Sequence, residues 1–131
     1  MRVPVAAFLV DACLVIAFAT VGRASHSEVL TVAGVLGVAW PFLGALAVGW
    51  GVARARGGWP VRLQGAVTVW LVTVVLGLVV RVLTGGGFAW SFGLVTLVVL
   101  GIFLVGWRCA VEIGRFVGEG LGRWSASMAR R

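Results

Sequence analysis

Asp11 is the residue best placed to do chemistry, because it is an acid in the middle of an apolar stretch near the start of the chain. A charged side chain there costs about 2.5–3.5 kcal/mol on membrane-insertion scales, so it should face other helices or water. On a helical period Asp11, Phe18 and Gly22 share one face. The acid is therefore a candidate site for a proton, a cation or an amine, or else a neutral acid that hydrogen-bonds between helices.

Further residues are expected around this acid. Trp70 and Thr73 lie at a matching depth in a later apolar stretch, and Trp40 and Trp70 with Phe18 are candidates to line a pocket for a flat lipophilic ligand such as a quinone or polyene. Pro41 removes a backbone donor and should kink its helix, which exposes carbonyl groups. Ordinary packing is the alternative. The predicted ligand or proton site comprises Asp11, Phe18, Trp40, Pro41, Trp70 and Thr73.

A second polar cluster is expected at the opposite, external face. Arg23, His26 and Glu28 lie between the first two apolar stretches, and Arg81 lies near the outer end of the third. Arg81 is separated from Asp11 by roughly 16 Å along the membrane normal, so Glu28 is its expected counter-ion. The cluster is a candidate site for an anionic group, with the arginines as donors and His26 as a titrating group. The alternative is snorkelling at the interface with a loop ion pair.

Four apolar stretches must position these residues, and they use most of the 131 residues. They run over about 3–21, 29–53, 63–83 and 88–107, each with the roughly 20 residues that a spanning helix needs. Hydrophobic residues make up 61% of the chain and charged residues 11%, which leaves too little polar surface for a soluble domain. The sequence predicts an all-α integral membrane four-helix bundle. The first stretch resembles a secretory signal, but Asp11 argues against cleavage.

The basic residues are all arginine, and their placement predicts orientation. Nine of the eleven fall on one side of a four-span arrangement and two, Arg23 and Arg81, near the other. By the positive-inside rule both termini are cytoplasmic. The formal net charge of +7 then needs no nucleic acid, because arginines beside spans contact anionic lipid headgroups. The nine are Arg2, Arg54, Arg56, Arg62, Arg108, Arg115, Arg123, Arg130 and Arg131.

The sequence after the fourth stretch differs in character. Over 108–131, charged residues recur along one face and apolar residues along another, which predicts a cytoplasmic amphipathic helix that lies on the membrane or extends the span. The spans over 1–107 and this tail are the two expected parts of the chain. Cys13 and Cys109 are at different depths and His26 is the single histidine, so no metal site and no cofactor are expected.

Residues spread over nearly the whole chain resemble a family of small four-span membrane proteins that is common in actinobacteria and catalogued as a domain of unknown function. The resemblance implies a multi-pass protein of the bacterial cytoplasmic membrane and transfers no activity. It is carried by Asp11, Phe18, Ala19, Gly22, Arg23, Ser25, His26, Ala39, Trp40, Pro41, Phe42, Gly49, Trp50, Trp70, Gly77, Arg81, Gly106, Trp107 and Arg108.

Three functional hypotheses follow. The favoured one is a membrane-embedded protein that handles a small molecule, proton or ion through Asp11, with oligomerisation to complete a pathway. The second is an accessory or assembly subunit whose glycine-rich faces and tail dock onto a larger membrane complex. The third is an enzyme that modifies lipid headgroups through the outer cluster, although the sequence offers it no nucleophile or metal.

Overall fold

The computed structural model describes residues 2–130, without the side chain of Arg2. Met1 and Arg131 lie outside this range. The predicted contributions of the Arg2 and Arg131 side chains to the charge bias therefore fall outside the described part of the chain. Over the described residues the chain forms four α helices and no strand. They are α1 (Arg2–Ser25), α2 (Val32–Ala55), α3 (Leu63–Leu83) and α4 (Trp90–Met128).

The helices follow the predicted stretches with small differences at their ends. The range of α3 is the predicted one, whereas α2 begins three residues later because Thr31 caps it: the Thr31 hydroxyl accepts a hydrogen bond from the Gly34 N–H at 3.0 Å. Pro41 lies inside the continuous α2. A bilayer favours helices for apolar stretches of this length, since a helix makes its backbone hydrogen bonds within its own segment.

The fourth helix does not end where the apolar stretch ends. It continues without interruption from Trp90 to Met128, although four glycines lie in its second half. Glycine weakens a helix but keeps its N–H, whereas only proline removes the donor. The tail is therefore the extension of the span, and its residues 110–128 are exposed throughout.

Each helix packs on the next in chain order, and α4 returns to contact α1, so the four helices form a closed ring. The α2–α3 contact is the most extensive and the α4–α1 contact the least. Glycine explains the former: a Cβ at Gly77 would lie 2.4 Å from the Phe42 ring, and one at Gly49 would lie 3.1 Å from the Val69 carbonyl oxygen. Close approach of this kind replaces the hydrophobic driving force that lipid does not supply.

The outer surface of the bundle is apolar. All four helices are long and apolar enough to cross a membrane, and large side chains such as Val5, Val75 and Ile102 are 60–64% exposed. A soluble protein would not present such a surface to water. The protein is an all-helical, multi-pass membrane protein, as predicted.

Trp40 of α2 does not face the interior of the bundle. The small residues that recur along this helix, with Trp40 among them, lie on its exposed face, and Trp40 itself is 49% exposed. The buried face of α2 carries Phe42 and Leu46 instead. The expectation that Trp40 lines an interior pocket with Phe18 is therefore wrong, because Trp40 lies on the exposed face of α2 and not on the face that packs against the other helices.

Candidate functional site

Asp11 forms an ion pair in the interior. Its partner is Arg108 of α4, whose two Nη atoms donate to the two carboxylate oxygens at 2.8 and 2.7 Å. Asp11 is 0% and Arg108 1% exposed. A two-bond guanidinium–carboxylate contact is the strongest geometry available to such a pair, and it fixes the relative position of α1 and α4.

Two indoles complete the coordination of the acid. Trp50 Nε1 donates to one carboxylate oxygen and Trp107 Nε1 to the other, both at 2.9 Å. Each oxygen of Asp11 thus accepts two hydrogen bonds. Arg108 uses four of its five N–H donors, since its Nε donates to the Pro60 carbonyl at 2.9 Å and Nη1 also donates to the Leu104 carbonyl. We call Asp11, Trp50, Trp107 and Arg108 the inner clamp.

The inner clamp ties together α1, α2, α4 and the loop before α3. A buried network whose members are all partnered rigidifies a fold, and removal of one member leaves a costly orphan charge. Its geometry differs from both predicted roles of Asp11: the acid is neither an open site for a cation nor a neutral hydrogen-bonding group, but half of an ion pair with no free acceptor. The clamp can hold helices together, and its Asp11 has no acceptor left for a ligand.

The other members of the predicted interior site lie elsewhere. Trp70 Nε1 donates to the Leu97 carbonyl at 2.9 Å, and its ring covers Gly101 on α4. Thr73 is buried and donates to the Val69 carbonyl one turn earlier. Pro41 is buried within α2. The structure therefore does not gather these residues around Asp11.

The clamp partners of Asp11 were missed at the sequence level. Trp50 and Trp107 lie near the ends of their apolar stretches, where tryptophan is typical of an interfacial anchor, and Arg108 is one of the nine arginines on the predicted cytoplasmic side. A usable signal was present in the spacing of α4, because Leu100, Leu104 and Arg108 recur every four residues and all three are buried. An arginine that continues a buried leucine stripe points to a buried acid.

The opposite end of the bundle holds a second polar group. Arg23 Nη1 pairs with Glu28 at 2.6 Å, and its Nη2 donates to the Val29 carbonyl at 3.0 Å. The guanidinium lies flat against Gly34, where a Cβ would be 2.6 Å from its central carbon. Glu28 is thus the partner of Arg23, so the expectation that it is the counter-ion of Arg81 is wrong. Proximity along the chain decides the pairing, since Glu28 follows Arg23 by five residues.

Arg81 has no counter-ion within residues 2–130, where the ion pairs join Arg23 to Glu28 and Arg108 to Asp11. Its Nε is buried and has no hydrogen-bond partner there. The guanidinium lies 4.5 Å from the centre of the Phe92 ring, and Gly86 in the following turn packs over the side chain. Arg81 is therefore folded over the end of the bundle, on an aromatic face, rather than extended toward bulk water.

These arginines line a cavity of about 600 Å³ at this end of the bundle. All four helices contribute to its wall, and we call it the outer cavity. Its volume falls within the range of small-molecule sites, about 300–1,000 Å³. The polar members of its wall include Arg23, His26, Glu28, Arg81 and Ser91, and the apolar members include Phe18, Ala19, Val38, Phe92 and Val95. Of the predicted residues, Phe18 and the whole outer cluster meet here.

A second cavity, of about 560 Å³, lies at the inner end between α4 and the loop before α3. Arg62 and Arg115 line it, but so does Glu112, and Arg108 in its wall is already paired with Asp11. With Arg108 paired, this cavity carries the same single excess of positive charge as the outer cavity, but Arg62 and Arg115 are exposed whereas Arg81 is half-buried. Among the described residues no group of three or more histidine, cysteine, aspartate and glutamate side chains could hold a metal ion.

The chain matches one protein-family model, described as Protein of unknown function (DUF3054), over residues 8–111. No curated protein and no solved structure matches the chain. The matched range contains both the inner clamp and every polar residue of the outer cavity.

Proposed function

The chain belongs to the DUF3054 family, and we propose that it is a membrane protein that binds a small oxyanionic molecule in the outer cavity. The observation that carries this proposal is Arg81, a cation in the cavity wall with a buried Nε and no counter-ion among residues 2–130. A guanidinium presents its donors in a planar fork that matches carboxylate and phosphate oxygens.

The charges of the outer cavity favour an anion. Arg23 and Arg81 are opposed by Glu28 alone among the acids of the wall, which leaves one positive charge in excess with His26 neutral. Glu28 is already paired with Arg23. The unbalanced charge is therefore at Arg81, and a bound oxyanion would supply its missing counter-charge.

This proposal keeps the small-molecule hypothesis but moves its centre away from Asp11. The acid of the inner clamp receives four donors and is fully buried, so it offers no lone pair to a cation or an amine. We assign it the positioning of α1, α2 and α4. Phe18 is buried on the same helix as Asp11 and also lines the outer cavity.

The proposal is tested by titrating the purified protein in phosphatidylcholine nanodiscs with inorganic phosphate, followed by calorimetry. Arg81→Gln should weaken binding by about tenfold or more, since a hydrogen bond to a charged group contributes about 1.5–3 kcal/mol. Arg56→Gln makes the same charge change in an exposed loop at the other end and should bind like wild type. Equal loss in both variants, or no phosphate binding at all, contradicts the proposal.

We further propose that the protein lies in the cytoplasmic membrane of a bacterium with both termini inside. Arg54, Arg56 and Arg62 surround the α2–α3 loop, and further arginines follow on the extension of α4, which supports this orientation. Single cysteines at Ala55 and Thr84, in a background of Cys13→Ala and Cys109→Ala, test it. A membrane-impermeant maleimide should label Thr84→Cys in intact cells and Ala55→Cys after lysis. The reverse pattern contradicts the orientation.

A second candidate function is assembly with another protein, and the extension of α4 favours it. Phe116, Leu121 and Trp124 are 62–73% exposed on this helix. Apolar side chains of this size beyond a span need a cover of lipid or protein. Native mass spectrometry of wild type and Leu121→Glu in mild detergent separates the cases: a complex of defined mass that is lost in Leu121→Glu supports assembly, and Arg123→Gln serves as the polar-face control. Monomers in all three samples contradict it.

A further inference from the structure

We infer that the ligand of the outer cavity is an amphiphile, with an oxyanionic head at Arg81 and an apolar chain that runs inward past Gly22 between α1 and α4. This inference rests on the proposed function and names the ligand class for the same site. It draws on the layout of the cavity wall, the space beside Gly22 and the apolar rim.

The polar side chains of the outer cavity lie toward its outer end, together with Phe88 and Ala89, whereas the deeper wall is apolar. Arg23 and His26 lie at the end of α1, whereas Phe18 lies five residues earlier, which is about 7.5 Å deeper in the bundle. On α4, Ser91 lies in the first turn and Val95 one turn further in. A ligand with a charged head and an apolar chain matches this order, and a purely ionic ligand would leave the inner half of the wall uncovered.

Gly22 leaves room for such a chain. A Cβ built at Gly22 would meet no atom within 4 Å, although this residue lines the cavity. By contrast, Cβ atoms at Gly34 and Gly77 would collide with side chains that pack on them. Gly22 is therefore not occupied by a neighbouring helix, and the volume beside it is continuous with the cavity.

The cavity borders the α1–α4 contact, which is the least extensive of the ring. The residues on either side of this contact are apolar and exposed: Val21 is 63%, Leu94 63% and Val95 53% exposed. In a membrane these side chains face acyl chains. An amphiphile already dissolved in the bilayer can thus reach the cavity sideways, with its head at the interface beside Arg81 and its chain among groups of the same polarity.

Two probes with one shared head separate an amphiphile from a free ion: dodecyl phosphate and inorganic phosphate. The full chain in phosphatidylcholine nanodiscs is titrated with each by calorimetry, with empty nanodiscs as the blank for partitioning. We expect saturable binding of dodecyl phosphate at a concentration at least about tenfold below that needed for inorganic phosphate, because the bilayer concentrates the alkyl probe beside the cavity.

Gly22→Leu and Gly37→Leu provide the matched variants. Both glycines lie in the outer half of their helices with open space at the Cβ, but Gly22 lines the cavity and Gly37 faces outward from α2. Leucine favours a helix over glycine, so neither variant should fail to fold. Gly22→Leu should weaken dodecyl phosphate at least about tenfold more than it weakens inorganic phosphate, whereas Gly37→Leu should change neither.

Each result decides something. If Arg81→Gln weakens both probes and Gly22→Leu weakens dodecyl phosphate at least about tenfold more than inorganic phosphate, the amphiphile is supported. If both probes bind equally well through Arg81 and Gly22→Leu has no effect, the inference is overturned while the oxyanion site stands. If neither probe binds, or if binding is indifferent to Arg81→Gln, both the inference and the proposed function fall.

Discussion

Arg108 and Arg81 show two uses of one side chain at opposite ends of a single bundle. Arg108 is 1% exposed and donates to Asp11 and to two backbone carbonyls. The inner clamp to which it belongs joins α1, α2 and α4. Arg81 lies over Phe92 with a buried Nε that has no partner within the described residues. Four of the five N–H donors of Arg108 are taken by protein acceptors, whereas Arg81 has no ion-pair partner within the described residues.

The difference follows from where the acids are. Asp11 lies near the middle of α1, at a level that Arg108 reaches from α4, and the surrounding indoles add donors without adding charge. At the outer end the local acid, Glu28, is taken by Arg23. A buried charge whose hydrogen bonds are all made within the protein rigidifies the fold, whereas one without a counter-charge can bind a ligand that supplies it.

The sharpest way to break this comparison is to make the same substitution at both arginines. Arg108→Gln should lower the free energy of unfolding by about 3–5 kcal/mol, because it leaves the Asp11 carboxylate buried without its counter-charge. Arg81→Gln should change it by no more than about 0.5 kcal/mol. Unfolding by urea in micelles of a neutral detergent, which carries no oxyanion that could bind at Arg81, measures both by circular dichroism. Equal losses in the free energy of unfolding would mean that Arg81 and Arg108 contribute equally to stability, which contradicts the comparison.

A double-mutant cycle on Asp11→Asn and Arg108→Gln sharpens the account of the inner clamp. Each single variant should be strongly destabilised, and the double variant should lose less than the sum of the two by about 1–3 kcal/mol, since the orphan charge disappears. The same urea titration in micelles gives the values. Strict additivity would show that the pair is not coupled and that the clamp is not a unit.

The indoles of the clamp should matter less than its charges. Trp50→Phe and Trp107→Phe each keep a ring and remove one donor to the carboxylate, so each should cost about 1.5–3 kcal/mol. Trp124→Phe, on the exposed extension of α4, is the control and should be nearly neutral. Thermal melting of the three variants in one detergent ranks them; a neutral Trp50→Phe together with a neutral Trp107→Phe would remove the indoles from the account.

The smallest effect is expected at Glu28, which competes with a ligand for Arg23. Glu28 is 52% exposed, and an ion pair of this kind contributes about 0–1 kcal/mol. Glu28→Gln should therefore barely change stability but should tighten phosphate binding by up to about fivefold. Calorimetry in nanodiscs measures the affinity. Weaker binding in Glu28→Gln would mean that this acid holds the site in shape instead of opposing the anion.

The four spans could be predicted from hydropathy alone, because the bilayer allows only a helix for an apolar stretch of this length and composition. The end of α4 was less accessible: hydropathy falls at Trp107, while the backbone continues as helix to Met128. Helix formation depends on an unbroken supply of N–H donors, and no proline follows in this region. Composition therefore marks where the apolar span ends and not where the helix does.

The site could be predicted only in part. Helical spacing placed Asp11 and Phe18 on one buried face, but the partners of Asp11 lie at 39 to 97 residues' separation, which spacing within a helix does not report. The arginine of the clamp also looked like an ordinary flanking charge. Trp40 shows the converse error, since a tryptophan in the middle of a span was assigned to the interior and lies on the outward face.

The most direct test of the central claim is a solid-state measurement of ¹⁵N–³¹P dipolar coupling, on protein with ¹⁵N-labelled arginine side chains reconstituted with phosphate. Phosphorus should dephase a guanidinium ¹⁵N signal in wild type. This dephasing should disappear in Arg81→Gln and persist in Arg56→Gln. Dephasing that survives Arg81→Gln unchanged, or that never occurs at phosphate concentrations where calorimetry shows saturation, would contradict the assignment of the oxyanion to the outer cavity.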